Sequence, residues 1–402
     1  MYKKVLIAAI ITASVLFSQN NYPIVLVHGF AGWGADEIMG YKYWGGFWDL
    51  EEYLEKKGFE VITVSMGPVS SNWDRAVEIF YQLKGGQVDY GKSHSDKYGI
   101  IRKPETKVYE ALYPEWDAGH PVHLIGHSMG GQTVRMLDYL LEHSFYADTL
   151  ESIYEESELL GQEHSGWIKS ITSISSPHNG TTYVDVRTKT TPFIQNFIGL
   201  AAAIGTDVYD FDLQQWSLEQ QDGENLQAYY ERISDHPVWS SKNISSWDLS
   251  LDGAREFNTY AKANPNVYYF SYSTSCSVPD KKTGYHVPHG TVYVTLRDNV
   301  RNIGQETAAF SDGTKTDSTW FENDGVVNLI SMWGPTTGLN GPDQIEPFGQ
   351  DKKLMPGRWY TFPKLTMDHY YVIGQSIFTK KEMRKLFRNY SDHCQILHSL
   401  PE

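Results

Sequence analysis

The segment VHLIGHSMGGQTVRML, residues 122–137, joins an apolar run to an amphipathic run through a short corner with two flanking glycines. The first run predicts a buried strand, and the apolar periodicity of the second predicts a helix over about residues 129–143. Ser128 lies at the corner between Gly126 and Gly130, where so tight a turn has no room for side chains. The segment therefore predicts an α/β unit that presents one serine at its turn.

Strands and helices alternate along the rest of the chain. Short apolar runs rich in β-branched or aromatic residues predict strands over residues 24–29, 59–66, 122–126 and 168–177, with later ones over 266–274 and 358–363. The segment FWDLEEYLEKKG, residues 47–58, has apolar residues at helical spacing, early acids, late lysines and a final glycine, which predicts an amphipathic helix. This alternation predicts an α/β fold with a mainly parallel sheet flanked by helices.

Composition narrows the class of protein. The chain has 402 residues, of which 41% are hydrophobic and 14% aromatic, enough for a sizeable core in one large domain or two modest ones. The net charge is −15 and no basic patch is evident, which argues against nucleic acid as a partner. The two cysteines, Cys276 and Cys394, leave open whether they pair or remain free thiols.

The N-terminal segment is typical of a secretory signal peptide. Lys3 and Lys4 precede an apolar run over residues 5–17 that is too short to span a bilayer, and small and polar residues follow it. An N-terminal anchor or a buried first strand is the alternative. We therefore expect a secreted, extracellular protein with a signal peptide over about residues 1–18. Residues 19–402 would then form a single domain with no integral membrane span.

The segment over residues 188–221 interrupts the alternation. Thr191 and Pro192 have the character of a helix start, and the following FIQNFIGLAAAIG is apolar on nearly all sides. Such a helix requires burial all round. Two arrangements satisfy this requirement equally well. The helix could be the core of a cap, or it could be a lid whose apolar face covers the active site and opens onto lipid.

Ser128 has the setting of a catalytic nucleophile. A serine hydroxyl attacks only when a base takes its proton, and the developing oxyanion needs nearby backbone N–H groups. The start of the predicted helix supplies one N–H group, from Met129, and the segment His28–Gly29–Phe30 after the first strand is placed to supply another. The alternative is an ordinary surface serine in a tight turn.

The partners of such a serine follow it in the order acid, then histidine. The late histidines are His286, His289, His369, His393 and His398. His369 comes soon after the predicted strand over 358–363, whereas His393 and His398 lie in what reads as a solvated terminal tail. Asp324, in WFENDGVVN, precedes a glycine and an apolar run, while its rivals have the setting of polar loops: Asp298, Asp312 and Asp317. Position favours Asp324 and His369.

Specific motifs along the chain match one known family. They are PIVLVHGFAGWG, YKYWGG, GPVSSNWDRA, QLKGGQVDYG, GHSMGGQTVRML, SSPHNGTT, VYDFDLQQW, DLSLDGA, YYFSYST, ENDGVVN and DHYYVIG. In these motifs the chain resembles the thermoalkalophilic Bacillus-type and staphylococcal true lipases, from about residue 22 to about residue 374. The resemblance implies an α/β-hydrolase fold with a lid helix near residues 188–205 and an insertion that carries a metal site.

The resemblance also implies a role for individual residues. The family's nucleophile falls on Ser128, its acid on Asp324 and its histidine on His369. Its oxyanion donors fall on Phe30 and Met129. The family usually has glutamine after the serine, but only the backbone N–H of Met129 is needed, so this difference leaves the role unchanged.

A structural zinc is a further implication of the resemblance. The family binds it with two aspartates and two histidines, and three of these positions are matched here by Asp74, His94 and Asp248. The fourth falls on Ile100, which cannot bind metal, whereas a structural zinc normally takes four ligands. Asp96 or a water could complete the set; otherwise the site is empty or selects another ion.

Calcium is not expected at the family's calcium site. The family takes carboxylates from just after the catalytic histidine, and the corresponding positions here are Tyr371 and Ser376. Calcium requires several hard oxygen ligands, usually charged ones. No cofactor is required for the chemistry of a serine hydrolase.

The sequence as a whole predicts a secreted lipase. It would hydrolyse carboxylic esters of lipids, triacylglycerols, at a lipid–water interface through a Ser-His-Asp acyl-enzyme mechanism. A phospholipase A or a short-chain carboxylesterase would use the same triad, because the shape of the pocket decides the substrate. A catalytically silent lipid-binding protein is the alternative outside the enzymes, and the presence of all three triad candidates in the right order argues against it.

Overall fold

The computed structural model describes residues 20–34, 40–145, 157–188, 212–234, 236–290, 292–377 and 379–402. The predicted signal peptide, residues 1–18, lies outside the described residues. Most of the predicted lid segment does as well, because residues 189–211 are not described. In the described ranges, no helix is both long enough and apolar enough to cross a membrane.

A parallel sheet forms the centre of the described structure. The strands in chain order are β1 (Ile24–Val27), β2 (Val61–Val64), β3 (Gly86–Gln87), β4 (Val108–Tyr109), β5 (Val122–His127), β6 (Ile168–Ile174), β7 (Tyr268–Tyr272), β8 (Ser277–Pro279), β9 (His286–Pro288), β10 (Ile345–Pro347) and β11 (Trp359–Thr361). Seven of them form one sheet in the order β10-β11-β7-β6-β5-β1-β2, and every neighbouring pair runs parallel. The remaining four form two short antiparallel hairpins, β3–β4 and β8–β9. All six predicted strands lie in the large sheet, so the predicted α/β fold is confirmed.

Helices cover the sheet and fill its connections. The α-helices are α1 (Leu50–Glu55), α2 (Asn72–Lys84), α3 (Lys92–Tyr98), α4 (Met129–Leu141), α5 (Thr182–Thr188), α6 (Leu226–Ser234), α7 (Ser245–Asp248), α8 (Leu251–Tyr260), α9 (Arg297–Ile303) and α10 (Lys380–His398). Short 3₁₀ helices span Gln214–Trp216, Pro237–Ser240, Val294–Leu296, Ser318–Trp320, Leu329–Ser331 and Tyr371–Ile373. The segment β3-α3-β4 is inserted between α2 and β5 and contains His94 of the predicted metal set.

Strand β1 shows why these segments form strands buried on both faces. All four of its residues are fully buried. Val25 and Val27 pack in the core cluster that contains the apolar side chains of α2 and α4. Ile24 and Leu26 pack on the other face, with those of α1 and α10. Because alternate residues point to opposite faces, a strand covered on both sides must be apolar throughout, as the sequence IVLV is.

The first helix is shorter than predicted. Helix α1 begins at Leu50 because the carboxylate of Asp49 accepts the N–H of Glu52, 3.0 Å away, and so caps the helix. Phe47, expected on the apolar face of the helix, precedes it and is 75% exposed. Gly58 has a φ of 90°, which agrees with its predicted place at the end of the helical segment.

The C-terminal segment is not a solvated tail, and that interpretation was wrong. Residues 380–398 form helix α10, and His393 is buried between its partners. Its Nε2 is 2.7 Å from Thr172 Oγ1, and its Nδ1 is 3.0 Å from the Tyr272 hydroxyl. The sequence does carry a signal for this helix, since its buried apolar residues recur at helical spacing: Met383, Leu386, Phe387, Tyr390, Cys394 and Leu397. Cys394 and Cys276 are both buried free thiols.

Candidate active site

Ser128 lies at the corner between β5 and α4, as the sequence predicts. Its backbone has φ 56° and ψ −128°, a conformation that residues with a side chain rarely adopt. The N–H of Ser128 donates to the carbonyl of Ile174, 2.8 Å away, which anchors the corner to the end of β6. Such strain is found at sites where a side chain must be presented in one position.

The glycines around Ser128 are required by close backbone contacts. A Cβ on Gly126 would lie 2.4 Å from the carbonyl carbon and oxygen of Gly130. A Cβ on Gly130 would lie 2.4 Å from the carbonyl oxygen of Val27, at the end of β1. Gly29 is equally constrained, since its Cβ would be 2.7 Å from that of Ser128. The loop after β1 therefore passes directly against the serine.

We expect Gly130→Ala to destabilise the fold severely, by more than about 3 kcal/mol, because the added methyl group meets the backbone of a central strand that cannot move aside. Urea denaturation monitored by circular dichroism measures this. Gly290→Ala is the matched control, because a Cβ there meets nothing within 4 Å. Equal unfolding midpoints for the two variants would contradict the argument from close packing.

The structure brings Asp324 and His369 together. Nδ1 of His369 is 2.7 Å from Oδ2 of Asp324, and both residues are buried. The other carboxylate oxygen accepts the backbone N–H groups of Val326 and Val327, at 3.0 and 2.8 Å. Thr274, two residues after β7, donates its hydroxyl to Oδ2 over 2.7 Å. These hydrogen bonds occupy both carboxylate oxygens and fix their orientation toward the imidazole.

Ser128 and His369 line one cavity of about 420 Å³. Its walls are largely apolar and aromatic and include Phe30, Trp33, Tyr43, Tyr183, Val184, Leu249, Val326, Val327 and Tyr370. The loop after β1 contributes Phe30, and Met129 is the first residue of α4, where backbone N–H groups have no partner within the helix. The cavity thus combines a serine, a histidine paired with a carboxylate, and a helix N-terminus.

The other acids and histidines considered from the sequence lie elsewhere. Asp298, Asp312 and Asp317 are exposed at the surface. His286 belongs to the β8–β9 hairpin, and its Nδ1 is 3.0 Å from Ser277 Oγ. The lining of the cavity that contains Ser128 includes neither His286, His289 nor His393.

The predicted zinc ligands meet only in part. Nε2 of His94 is 2.9 Å from Oδ1 of Asp74, which is fully buried in α2. The other oxygen of Asp74 accepts the amide N–H of Asn243 over 2.9 Å. The carboxylate of Asp248 accepts the backbone N–H of Asn72. A direct hydrogen bond thus joins two of the side chains that the resemblance assigns to a metal ion, Asp74 and His94, whereas the third, Asp248, binds a backbone N–H group.

These residues, as placed, do not fit a zinc ion. The fourth position, Ile100, is buried and apolar. Within the ranges that the structure describes, no three side chains of His, Cys, Asp or Glu are grouped so that they could hold a metal ion. A structural zinc takes four such ligands.

The carboxylate next to His369 in the chain is that of Asp368, the residue directly before it. Its Oδ1 accepts the backbone N–H groups of Tyr370 and Tyr371, at 3.1 and 2.9 Å. Its Oδ2 accepts the N–H of Tyr293 over 3.1 Å. Both carboxylate oxygens of Asp368 therefore bind backbone N–H groups of the neighbouring segments. The absence of calcium at the family's site stays a prediction.

We expect neither EDTA nor added calcium to shift the melting temperature by more than about 1 °C. A structural metal stabilises a fold by its binding free energy, and the described side chains are not grouped to bind one. Thermal unfolding of the full chain with EDTA, with calcium and after plain dialysis measures this. Elemental analysis should find no stoichiometric zinc. A fall of several degrees in EDTA, or one zinc bound per chain, would show that the described side chains rearrange around a metal.

Sequence reasoning missed three polar residues at this site. Thr274 contacts the carboxylate of Asp324, and Tyr43 and His127 form hydrogen bonds beside His369. The motifs YKYWGG, GHSMGG and YYFSYST contain all three, but nothing in their local pattern predicts a contact between segments so far apart in the chain.

The sequence and the structure both match known lipases. A model of the family described as "Lipase-like, C-terminal domain" matches residues 20–397. The chain is 34% identical over 396 residues to a lipase of Staphylococcus hyicus, covering 93% of this chain and 58% of that protein. The structure is similar to that of EstA from Clostridium botulinum, with a TM-score of 0.84 and 37% identity over 97% of this chain and 90% of that one. It is also similar to lipase 1 from Pelosinus fermentans, with a TM-score of 0.75 and 40% identity over 92% and 99%. The chain therefore spans little more than half of the staphylococcal relative but nearly the whole of both solved structures.

Proposed function

Because the chain belongs to the lipase-like C-terminal domain family, we propose that it is a serine hydrolase that cleaves carboxylic esters of lipids, triacylglycerols foremost. The resemblance to staphylococcal lipases that the motifs predict is confirmed. The observation that carries the proposed chemistry is the 2.7 Å pair of Asp324 and His369, because His369 lines the same cavity as Ser128.

The proposed reaction follows from the roles of these three side chains. With its Nδ1–H bonded to Asp324, the neutral imidazole of His369 has its lone pair on Nε2, which takes the proton of the Ser128 hydroxyl. The serine oxygen attacks the ester carbonyl carbon and forms a tetrahedral oxyanion, which the N–H groups of Phe30 and Met129 would bind. The intermediate expels the alcohol, which receives the proton from Nε2. Water then repeats the sequence on the acyl-enzyme.

Lipid esters are the substrates that the cavity favours. Several of the side chains that line it with Ser128 are apolar: Phe30, Val184, Leu249, Val326 and Val327. An acyl chain gains free energy when it leaves water for such a surface, at about 0.8 kcal/mol for each buried methylene group. We place the reaction at a lipid–water interface outside the cell, with residues 1–18 as the cleaved signal peptide. A phospholipase A or a short-chain carboxylesterase would use the same catalytic groups.

The test is a series of esters with short to long acyl chains, offered as soluble 4-nitrophenyl esters, triacylglycerol emulsions and phospholipid vesicles. We expect turnover of long-chain triacylglycerols. Cleavage of short soluble esters alone would reduce the proposal to a carboxylesterase, and cleavage of vesicles alone to a phospholipase.

A separate measurement distinguishes an enzyme from a silent lipid-binding protein. A serine-directed phosphonate should label Ser128 covalently, which mass spectrometry of the digested chain locates. If Ser128 is never modified while lipid still binds, the hydrolase proposal is wrong and the binding alternative stands.

A further inference from the structure

We propose that Tyr43 and His127 are positioning residues that couple the loop carrying Phe30 to the loop carrying His369. The inference rests on the proposed function, because it concerns the geometry of the same reaction. Tyr43 lies in the segment between β1 and α1, and His127 is the last residue of β5. Both side chains are almost entirely buried beside the cavity that contains Ser128.

Three hydrogen bonds connect the two loops. The N–H of Gly29, next to Phe30, donates to the Tyr43 hydroxyl over 2.8 Å. That hydroxyl is 2.6 Å from Nδ1 of His127. On the other side of the ring, Nε2 of His127 is 3.1 Å from the carbonyl oxygen of His369.

The donor and the acceptor of each hydrogen bond follow from the carbonyl oxygen of His369 at one end of the chain of contacts. A carbonyl oxygen only accepts, so the proton of His127 must be on Nε2. A neutral imidazole has one N–H, which leaves Nδ1 as an acceptor and makes Tyr43 the donor to it. The Tyr43 oxygen still has a lone pair for the N–H of Gly29. Burial, and then the neighbouring His369, lower the pKa of His127 well below its usual range, which keeps the ring neutral.

His369 is consequently held on both sides of its backbone. Its N–H donates to the carbonyl of Asp324 over 3.1 Å, and its carbonyl accepts from His127. Its ring centroid is 4.6 Å from that of His127, so the two imidazoles are also in contact. A shift of His127 would therefore move the base relative to Ser128, and reacting groups displaced by about 1 Å lose on the order of a hundredfold in rate.

Tyr43 is fixed by its own neighbours. Trp33 and Trp44 pack edge-on against its ring, at 5.3 and 5.6 Å between centroids. The Tyr43 hydroxyl therefore has little freedom to move. Because it binds both the N–H of Gly29 and Nδ1 of His127, a shift of His127 would also shift Gly29. The donor at Phe30 and the base at His369 would thus be set by one chain of contacts rather than by two independent loops.

The experiment compares Tyr43→Phe with Tyr360→Phe. Tyr360 is the matched control because its buried hydroxyl also accepts one backbone N–H and donates to one carbonyl, both of Met355. On a soluble short-chain 4-nitrophenyl ester we expect Tyr43→Phe to lower kcat by about 10- to 100-fold with KM changed less than about threefold. Tyr360→Phe should keep kcat within about twofold of the wild type.

Equal kcat values for the two variants would overturn the inference while leaving the proposed function intact. Should Tyr43→Phe fail to fold, His127→Gln and His127→Leu supply the test. The glutamine amide can still donate to the His369 carbonyl and should retain more kcat than leucine at a comparable melting temperature; equal values overturn the inference. A wild-type chain that hydrolyses no ester would overturn the proposed function itself.

Discussion

Replacing Ser128 with alanine should abolish ester hydrolysis, with kcat falling by roughly 10⁵-fold or more, and should leave the fold unchanged. The loss is large because no other group can form the acyl-enzyme, while His369 and the oxyanion donors have nothing to act on without the hydroxyl. The fold should persist because alanine removes one oxygen from a residue that lines a cavity. The phosphonate should also fail to label this variant.

Initial rates on the best ester, together with circular dichroism and the melting temperature, measure both halves of this prediction. Ser95→Ala is a suitable control, because Ser95 is also buried, lies in α3 away from the cavity and has a hydroxyl without a hydrogen-bond partner among the described residues. It should retain wild-type activity. Residual turnover by Ser128→Ala above that of a contaminant-free blank would assign the nucleophile to another residue.

Acidification should destabilise the protein steeply between about pH 6.5 and pH 5. Burial lowers the pKa of a set of histidines: His28, His123, His127, His178 and His393. For His393 the pKa falls to about 3. In the unfolded chain these residues take up protons near pH 6.5, whereas in the folded chain they do not. The unfolded state thus binds more protons as the pH falls, and the free energy of unfolding decreases.

The slope follows from proton linkage. Below the pKa that it has in the unfolded chain, each such histidine lowers the free energy of unfolding by about 1.4 kcal/mol for every pH unit. Asp138 and Asp248 act in the opposite direction, because burial raises their pKa values to about 6 and about 8, so their folded forms hold a proton that the unfolded chain does not hold in this range. The balance is on the order of 4 kcal/mol lost per pH unit, which is a large fraction of the stability of an ordinary domain.

Urea denaturation of the full chain at pH 7, 6 and 5 measures this slope. His393→Gln removes one titrating group at a buried position outside the active site, and should reduce the slope by about 1.4 kcal/mol per pH unit. A free energy of unfolding that stays constant from pH 7 to pH 5 would show that the buried histidines are protonated in the folded chain.

Local sequence patterns determined the elements that form from neighbouring residues. The apolar run of β1 predicted a strand buried on both faces, because alternate side chains of one segment meet two cores. The sequence also predicted the corner at Ser128. Gly126 and Gly130 are required there because an added Cβ would meet the backbone a few residues away or in the adjacent strand. Chain order limited the candidates for the acid and the histidine, and position and local setting then favoured Asp324 and His369 over rivals that satisfy the same order.

Tertiary structure alone decided the contacts between distant segments. The order of the strands places the ends of β1, β5, β7 and β11 at one edge of the sheet, and only there do Tyr43, His127 and His369 meet. The same holds for Thr274 beside Asp324, and for the burial of His393 against Thr172. Periodicity records which face of a segment is apolar, but not which segment covers it, because that depends on how the whole sheet is assembled.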